Sequence, residues 1–445
     1  MRTAIVGAGA SGLSLALLLD DQVVVYERES RAGGHCSTTT RDGWTFDQGP
    51  HIMFSRDADV LSFMVESLGS NVHLGHRRNR VFLGGTLVKY PLENDLASLP
   101  VALRSACLVP YLFNEHQEWR DHPTNLDEWF VGNFGSGMTD LYFRPYNEKV
   151  WNVSLSELSM SWADRIPLPP AEDVVNGALG VETEGYLHQL NFHYPLVGGY
   201  EAITQAWTDR LSPDTLRLDQ QVDRLMAVDG EVEVSTKFGV DRFDRVVWTA
   251  PIPGLLSVVS PVPDEVRRAI DSLRFNPIVI VTLGFRGSDP NEFTAVYFPD
   301  PDFLPNRVSA PSVFSPNNAP PGCFSLQAEI TFAPGTDYLS GTDDDLIAHV
   351  LDGIRAAGLA HMNNEVVFAD VQRIEYGYVV YTVGYEETVE VIRAWAEGLG
   401  IHLHGRFGAF EYVNVDGCVV KSRQLASDLN GRPTSLADIG ASRHG

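Results

Sequence analysis

A glycine turn between two short apolar strands opens the chain, and it restricts the possible folds more than any other feature. Arg2-Thr3-Ala4-Ile5-Val6 reads as a buried strand, followed at once by Gly7-Ala8-Gly9-Ala10-Ser11-Gly12 and a helical run from Leu13 to Leu19. A second apolar strand, Val23-Val24-Val25-Tyr26, ends at Glu27. This is a βαβ unit with G-x-G-x-x-G at the strand-to-helix turn, the arrangement that binds a dinucleotide. Gly7 permits the tight turn, Gly9 lets the backbone approach a pyrophosphate, and Gly12 lets helix and strand pack closely. Phosphates then rest on the helix N-terminus beside Ser11, where free N–H groups and the helix dipole favour negative charge. Glu27 can accept hydrogen bonds from both ribose hydroxyls and would repel a 2′-phosphate.

The next stretch separates a flavin site from a nicotinamide site. Glu27-Arg28 leads through Glu29-Ser30-Arg31-Ala32 to Gly33-Gly34. It resembles the E-(K/R)-x(4)-G-G extension of the FAD-dependent amine oxidase and glutathione-reductase-type superfamily. That resemblance implies FAD, with the glycine pair passing close to its diphosphate. Arg245-Val246-Val247-Trp248-Thr249-Ala250-Pro251 looks like the strand returning to the dinucleotide unit. Ile401-His402-Leu403-His404-Gly405-Arg406-Phe407-Gly408 looks like a strand closing on a Gly-rich turn.

Bulk properties narrow the function classes. A chain of 445 residues with 44% hydrophobic content can hold two or three domains with buried cores. No run approaches 18 consecutive apolar residues, so no membrane span is expected. Met1 leads straight into a strand and glycine turn, so no signal peptide is expected. Cys36, Cys107, Cys323 and Cys418 lie far apart without a C-x-x-C pair, which fits free thiols in a reducing cytoplasm and no metal site. A formal net charge of −25 argues against nucleic-acid and anionic-membrane partners.

Along the chain, a helix is expected from about Asp57 to Leu68. A β-hairpin follows from Arg77 to Leu92 around Gly84-Gly85, a pair suited to a type I′ turn. Helical periodicity dominates from Leu96 to Trp162. Ile166-Pro167-Leu168-Pro169-Pro170-Ala171-Glu172-Asp173 reads as a loop, because prolines remove donors and fix φ; such a loop could close over a substrate. Short strands are expected over Leu216 to Val240. Further strands at Ile278–Phe285, Ala295–Phe298, Arg307–Phe314 and Phe324–Thr331 form a second, antiparallel sheet, with helices at about Asp343–Ala357 and Glu386–Leu399. The fold class is therefore α/β, a Rossmann-like FAD-binding domain with an inserted helical domain and an antiparallel-sheet substrate domain. The expected boundaries are 1–70, 195–265 and 395–445 for the discontinuous FAD domain. Residues 95–190 make the helical domain, and 71–94 with 266–394 the sheet domain.

Several segments then resemble, in order, the UDP-galactopyranose mutase family. They are Phe46-Asp47-Gln48-Gly49-Pro50-His51, Arg144-Pro145-Tyr146-Asn147-Glu148-Lys149-Val150-Trp151, Trp162-Ala163-Asp164-Arg165, Val296-Tyr297-Phe298-Pro299 with Arg307, Tyr376-Gly377-Tyr378, and Gly405 through Asp416. The resemblance implies pyranose–furanose interconversion of a nucleotide-diphospho-hexose through a covalent bond between flavin N5 and the sugar, with FAD reduced and no net redox change. It implies that Arg165 and Arg307 hold the diphosphate, as their planar donor forks suit. It assigns Tyr146, Tyr297, Tyr378 and Tyr412 to the same diphosphate, Asn147 and Trp151 to the sugar side, and His51 to the flavin. Arg406, or the helix after Asp416 that Asn414 precedes, would stabilise anionic reduced flavin.

The pattern is not followed everywhere. Phe314 stands where related mutases carry a tyrosine, and Val379 and Tyr381 replace prolines. In Lys89-Tyr90-Pro91-Leu92-Glu93-Asn94, the family segment lining the uracil pocket, Glu93 stands in place of an amide. A carboxylate accepts but cannot donate, which suits guanine's N–H groups better than uracil's carbonyls. The expected substrate is accordingly GDP- or UDP-galactose, with Tyr90 and Glu93 at the base. The oligomeric state stays open, a homodimer being one option. The other reading is an amine-oxidase-type oxidoreductase taking hydride from a small amine or alcohol.

Overall fold

A computed structural model describes residues 1–166, 168–183, 190–290, 293–336 and 342–440. The glycine unit folds as expected. Strand Arg2–Val6 pairs in parallel with Gln22–Tyr26 on one side and Arg245–Trp248 on the other. Ile401–Leu403 and Leu216–Arg217 complete a five-stranded parallel sheet. Strands covered on both faces read as unbroken apolar runs, and Ile5, Val25 and Val247 are fully buried. The helix Ala10–Leu18 is buried along its whole length. It lies against the last long helix, Val415–Asn430, where Ser14 Oγ donates to Ser422 Oγ at 2.9 Å.

A seven-stranded sheet builds the other half, in the order Glu365–Val380, Arg274–Arg286, Cys323–Thr331, Arg307–Ser309, Ala295–Tyr297, Asn79–Leu83 and Thr86–Lys89. The expected hairpin is present as its last two strands, with Gly84 and Gly85 at φ +60° and +78°, the conformation that a type I′ turn demands. Period-two alternation splits the central strand. Val279, Val281, Leu283 and Phe285 enter a core beneath the helix Asp343–Ala356, while Ile278 faces a cavity.

Four expectations need correction. The sheet is antiparallel except for one parallel pair, Asn79–Leu83 with Ala295–Tyr297. Arg307–Phe314 is a strand only to Ser309, because Pro311 starts a helical turn ending at Phe314. The proline-rich loop stops at Pro170, from which the helix Ala171–Leu179 begins, and Pro167 lies outside the described residues. Glu365–Val380 forms a strand the sequence reading missed. A helical layer carrying Leu126–Met138, a π-helical turn at Thr139–Phe143 and the helix Arg144–Trp151 covers one side of the cavity. Among the described residues no helix is long and apolar enough to cross a membrane.

Candidate active site

A cavity of about 1270 Å³ runs from the glycine turn to the seven-stranded sheet. At its first end the wall is mostly backbone. Gly7, Gly9, Ser11, Gly33 and Gly34 line it. A Cβ on Gly9 would meet nothing within 4 Å and would protrude into the open space, whereas one on Gly34 would lie 3.2 Å from Gly9 Cα. Gly12 is not on the wall; a Cβ there would fall 2.0 Å from the Gly7 carbonyl oxygen. Its role is the close packing that brings the helix against the turn. The helix Ala10–Leu18 has no side-chain cap, so its first N–H groups are available to an anion. Glu27 is buried, accepting from the Ala8 N–H at 2.8 Å and the Glu29 N–H at 3.0 Å. Each oxygen retains a lone pair for a ribose hydroxyl. Arg28 lies exposed at the rim against Glu29.

A second uncapped helix N-terminus reaches the same cavity. Asn414 precedes the helix Val415–Asn430, so the helix starts before Asp416 and not after it. Arg406 lies 4.2 Å from the Tyr412 ring centroid and 5.4 Å from that of Tyr378. It donates to the Val413 and Gly377 carbonyls at 3.1 and 3.3 Å. His51 is half-buried with its ring 5.1 Å from Tyr200, and its buried Nδ1 makes no hydrogen bond. Burial, then His35, Arg406 and Arg307, bring its pKa down to about 3, so the imidazole is neutral. His35, which the sequence reading passed over, is brought down to about 4 by burial and then by Arg406.

The far end is built from side chains. Tyr297, Arg307 and Glu329 are direct cross-strand partners, and side chains in such register share one face. Arg307 forms an ion pair with Glu329, to whose Oε1 the Tyr378 hydroxyl donates at 3.2 Å. The Asn79 amide, oriented with its oxygen as acceptor, takes the Tyr297 hydroxyl at 2.9 Å and Arg77 Nε at 3.0 Å. The helix Arg144–Trp151 contributes Tyr146, 5.6 Å from Tyr297 between ring centroids, and Trp151, whose Nε1 donates to Asn147 Oδ1 at 3.2 Å. Burial, with Tyr297 and Glu329 respectively next, pushes the Tyr146 and Tyr378 phenols up, so both remain O–H donors. Arg165 is exposed at the lip, donating to the Tyr412 carbonyl with its guanidinium 4.7 Å from that ring's centroid. Tyr412 is thus contacted by two arginines, Arg165 and Arg406.

Most of the expected site residues therefore line one cavity: His51, Arg165, Arg307, Tyr90, Tyr146, Asn147, Trp151, Tyr297, Tyr378, Tyr412, Arg406 and Asn414 join the dinucleotide set. Glu93 does not. It is 2% exposed in the turn Leu92–Asn94, behind Tyr90 and Tyr142, which themselves line the cavity. Glu329, Arg77, Asn79 and His35 were missed. Glu329 carried the clearest signal, a single acid inside the apolar strand Cys323–Thr331, where an unpaired charge would be costly.

The family model for flavin containing amine oxidoreductases matches residues 10–429. The chain is similar to the mitochondrial protoporphyrinogen oxidase of Nicotiana tabacum, 24% identical over 296 residues. That match takes in 56% of this chain and 58% of the relative. It is also similar to a 4,4'-diapophytoene desaturase of Staphylococcus haemolyticus, 42% identical over 60 residues, 13% of this chain and 12% of that one. The chain thus spans 58% and 12% of the lengths of these two curated relatives. Among solved structures it is similar to reduced UDP-galactopyranose mutase, with TM-score 0.90 and 25% identity over 99% of this chain and 96% of that one. A putrescine oxidase variant matches in fold alone, with TM-score 0.67 and 17% identity over 97% and 100%. The glycine cradle fits the cofactor these matches identify, FAD.

Proposed function

The chain belongs to the flavin-containing amine oxidoreductase family, and from that premise we propose that it is a mutase interconverting the pyranose and furanose forms of a nucleotide-diphospho-hexose. One observation carries the reading: the cavity that accepts the dinucleotide continues into a tyrosine-lined chamber bearing Arg77, Arg165, Arg307 and Arg406. Clustered cations repel a protonated amine and attract a diphosphate. The likeness to UDP-galactopyranose mutase supports the same reading.

Reduced FAD, when bound, supplies a nucleophilic nitrogen for the anomeric carbon without net electron transfer. The protein's part is to hold the expelled diphosphate where it can return. Arg307 meets it from the sheet and Arg165 from the lip, each charged contact contributing about 1.5–3 kcal/mol. The Tyr146, Tyr297, Tyr378 and Tyr412 hydroxyls surround the same space, and Trp151 offers a flat apolar face to the sugar. Glu329 neutralises Arg307, and a diphosphate would compete for the same guanidinium. Neutral His51 holds a polar nitrogen beside the flavin's expected place without adding a charge. UDP- and GDP-galactose both belong to this proposal, as does a reducing, cytoplasmic setting that suits four unbridged cysteines.

The test is product analysis by chromatography with each sugar nucleotide and with enzyme in both flavin states. Furanose formed only by the reduced enzyme supports the proposal. Failure of both substrates, together with flavin reduction by an amine or alcohol, would replace it with the oxidoreductase reading.

A further inference from the structure

The helix Arg144–Trp151 is fastened to the sheet by a polar clasp lying outside the cavity. Thr331 Oγ1 donates to the Lys149 carbonyl at 2.9 Å. Asn276 Nδ2 donates to the Val150 and Trp151 carbonyls at 3.0 and 2.8 Å. These three carbonyls belong to the helix's last turn, where no intrahelical donor reaches them. In the opposite direction, Lys149 Nζ donates to the Phe298 and Asp300 carbonyls at 2.9 and 2.7 Å. Those carbonyls lie one and three residues after Tyr297. The helix carrying Tyr146 and Trp151 is thereby tied to the strand carrying Tyr297. At its other end the helix follows the π-helical turn Thr139–Phe143.

We propose that Lys149 is a positioning residue: its ammonium holds the segment after Tyr297 and so sets the spacing between the Tyr146–Trp151 wall and the Tyr297–Arg307 wall. That this spacing governs diphosphate binding rests on the function proposed above. The clasp itself does not.

The ammonium is also the one member of the clasp that can lose a proton. Burial brings the Lys149 pKa down to about 7, with Asp300 opposing. His349, on the helix Asp343–Ala356, faces the same group; it accepts the Leu304 N–H on Nε2, and burial lowers its pKa, with Asp352 opposing and Lys149 assisting. Glu148, the preceding residue, is turned away and accepts from the Leu155 N–H at 3.1 Å. Below about pH 7 Lys149 therefore makes charge-assisted bonds to both carbonyls. Above it a neutral amine offers two weaker donors.

The chain has only four lysines, Lys89, Lys149, Lys237 and Lys421, so carbon-13 labelling at lysine Cε gives a spectrum of four lines. The Lys149 line, assigned by its loss in Lys149→Met, is expected to titrate near neutral pH. In 5-fluorotryptophan-labelled enzyme, the Trp151 line, assigned by Trp151→Phe, is expected to move with the same midpoint and to stay still in Lys149→Arg. With FAD-loaded enzyme, the dissociation constant for UDP or GDP should rise about tenfold from low to high pH in the wild type. It should be flat in Lys149→Arg and weakened at every pH in Lys149→Met, with KM affected more than kcat. A Trp151 line that ignores the Lys149 titration overturns the proposal. So does Lys149→Met binding within about twofold of wild type throughout. If neither nucleotide binds while Trp151 still follows Lys149, the nucleotide-sugar reading fails and the positioning role stands.

Discussion

The two ends of the cavity are built on different principles. The dinucleotide end is a backbone surface: glycines, two uncapped helix N-termini and one carboxylate, supplied largely by the first 34 residues and closed by the helix Val415–Asn430. The substrate end is a side-chain surface assembled from a helix, the lip at Arg165 and strands of a mixed sheet, with Arg307 paired to Glu329. A backbone site tolerates almost no added atom, and its preference for phosphate is set by helix N-termini and needs no charged side chain. A side-chain site tolerates atoms but depends on each charge keeping its partner.

The largest effect should therefore come from adding atoms at the first end. Gly12→Val places a Cβ against the Gly7 carbonyl and should weaken FAD binding about 100-fold or more, read as flavin retained through gel filtration. Retention like wild type would break the comparison there. Next in size is removal of a charge at the second end. Arg307→Ala leaves buried Glu329 without its ion-pair partner, and should cost turnover about 100-fold and stability about 2–3 kcal/mol while FAD is retained. Adding Glu329→Gln should restore melting temperature but not turnover. Arg165→Ala, exposed at the lip, should lower turnover about tenfold or more with melting temperature unchanged.

Asp47 is buried beside the cavity, accepting from Thr38 Oγ1, the Tyr194 hydroxyl and the Tyr200 N–H. Burial outweighs these bonds and raises its pKa to about 6. The folded state therefore binds the proton more tightly than the unfolded chain. Its contribution is present below about pH 4 and lost as pH rises to about 6, a change of order 2–3 kcal/mol. Denaturant titrations across that window should show Asp47→Asn losing this slope. The smallest effect should come from Glu93→Gln, which lies off the cavity wall and should alter the ratio of GDP to UDP affinity by less than about twofold.

These contrasts explain what was legible in the sequence. Gly7, Gly9, Gly12, Glu27 and Gly33-Gly34 work through spacing along one short segment, which a linear pattern preserves. Arg307, Tyr297 and Trp151 were found only because whole segments resembled a family. Glu329 was not, because its meaning depends on which strand lies beside it. Glu93 lies in a short helical turn, which has no periodicity from which the direction of its side chain could be read. The strand Glu365–Val380 escaped notice because it borders the sheet half-exposed, which blurs alternation, and Gly377 interrupts it.

The central claim is that the flavin here acts as a nucleophile and passes no electrons on. The most direct measurement follows the flavin spectrum and furanose yield together, in anaerobic reduced enzyme given UDP- or GDP-galactose. The account predicts many furanose molecules per flavin while the flavin stays reduced and no reductant is consumed. Flavin oxidised in proportion to product, or no furanose from either substrate, would contradict it.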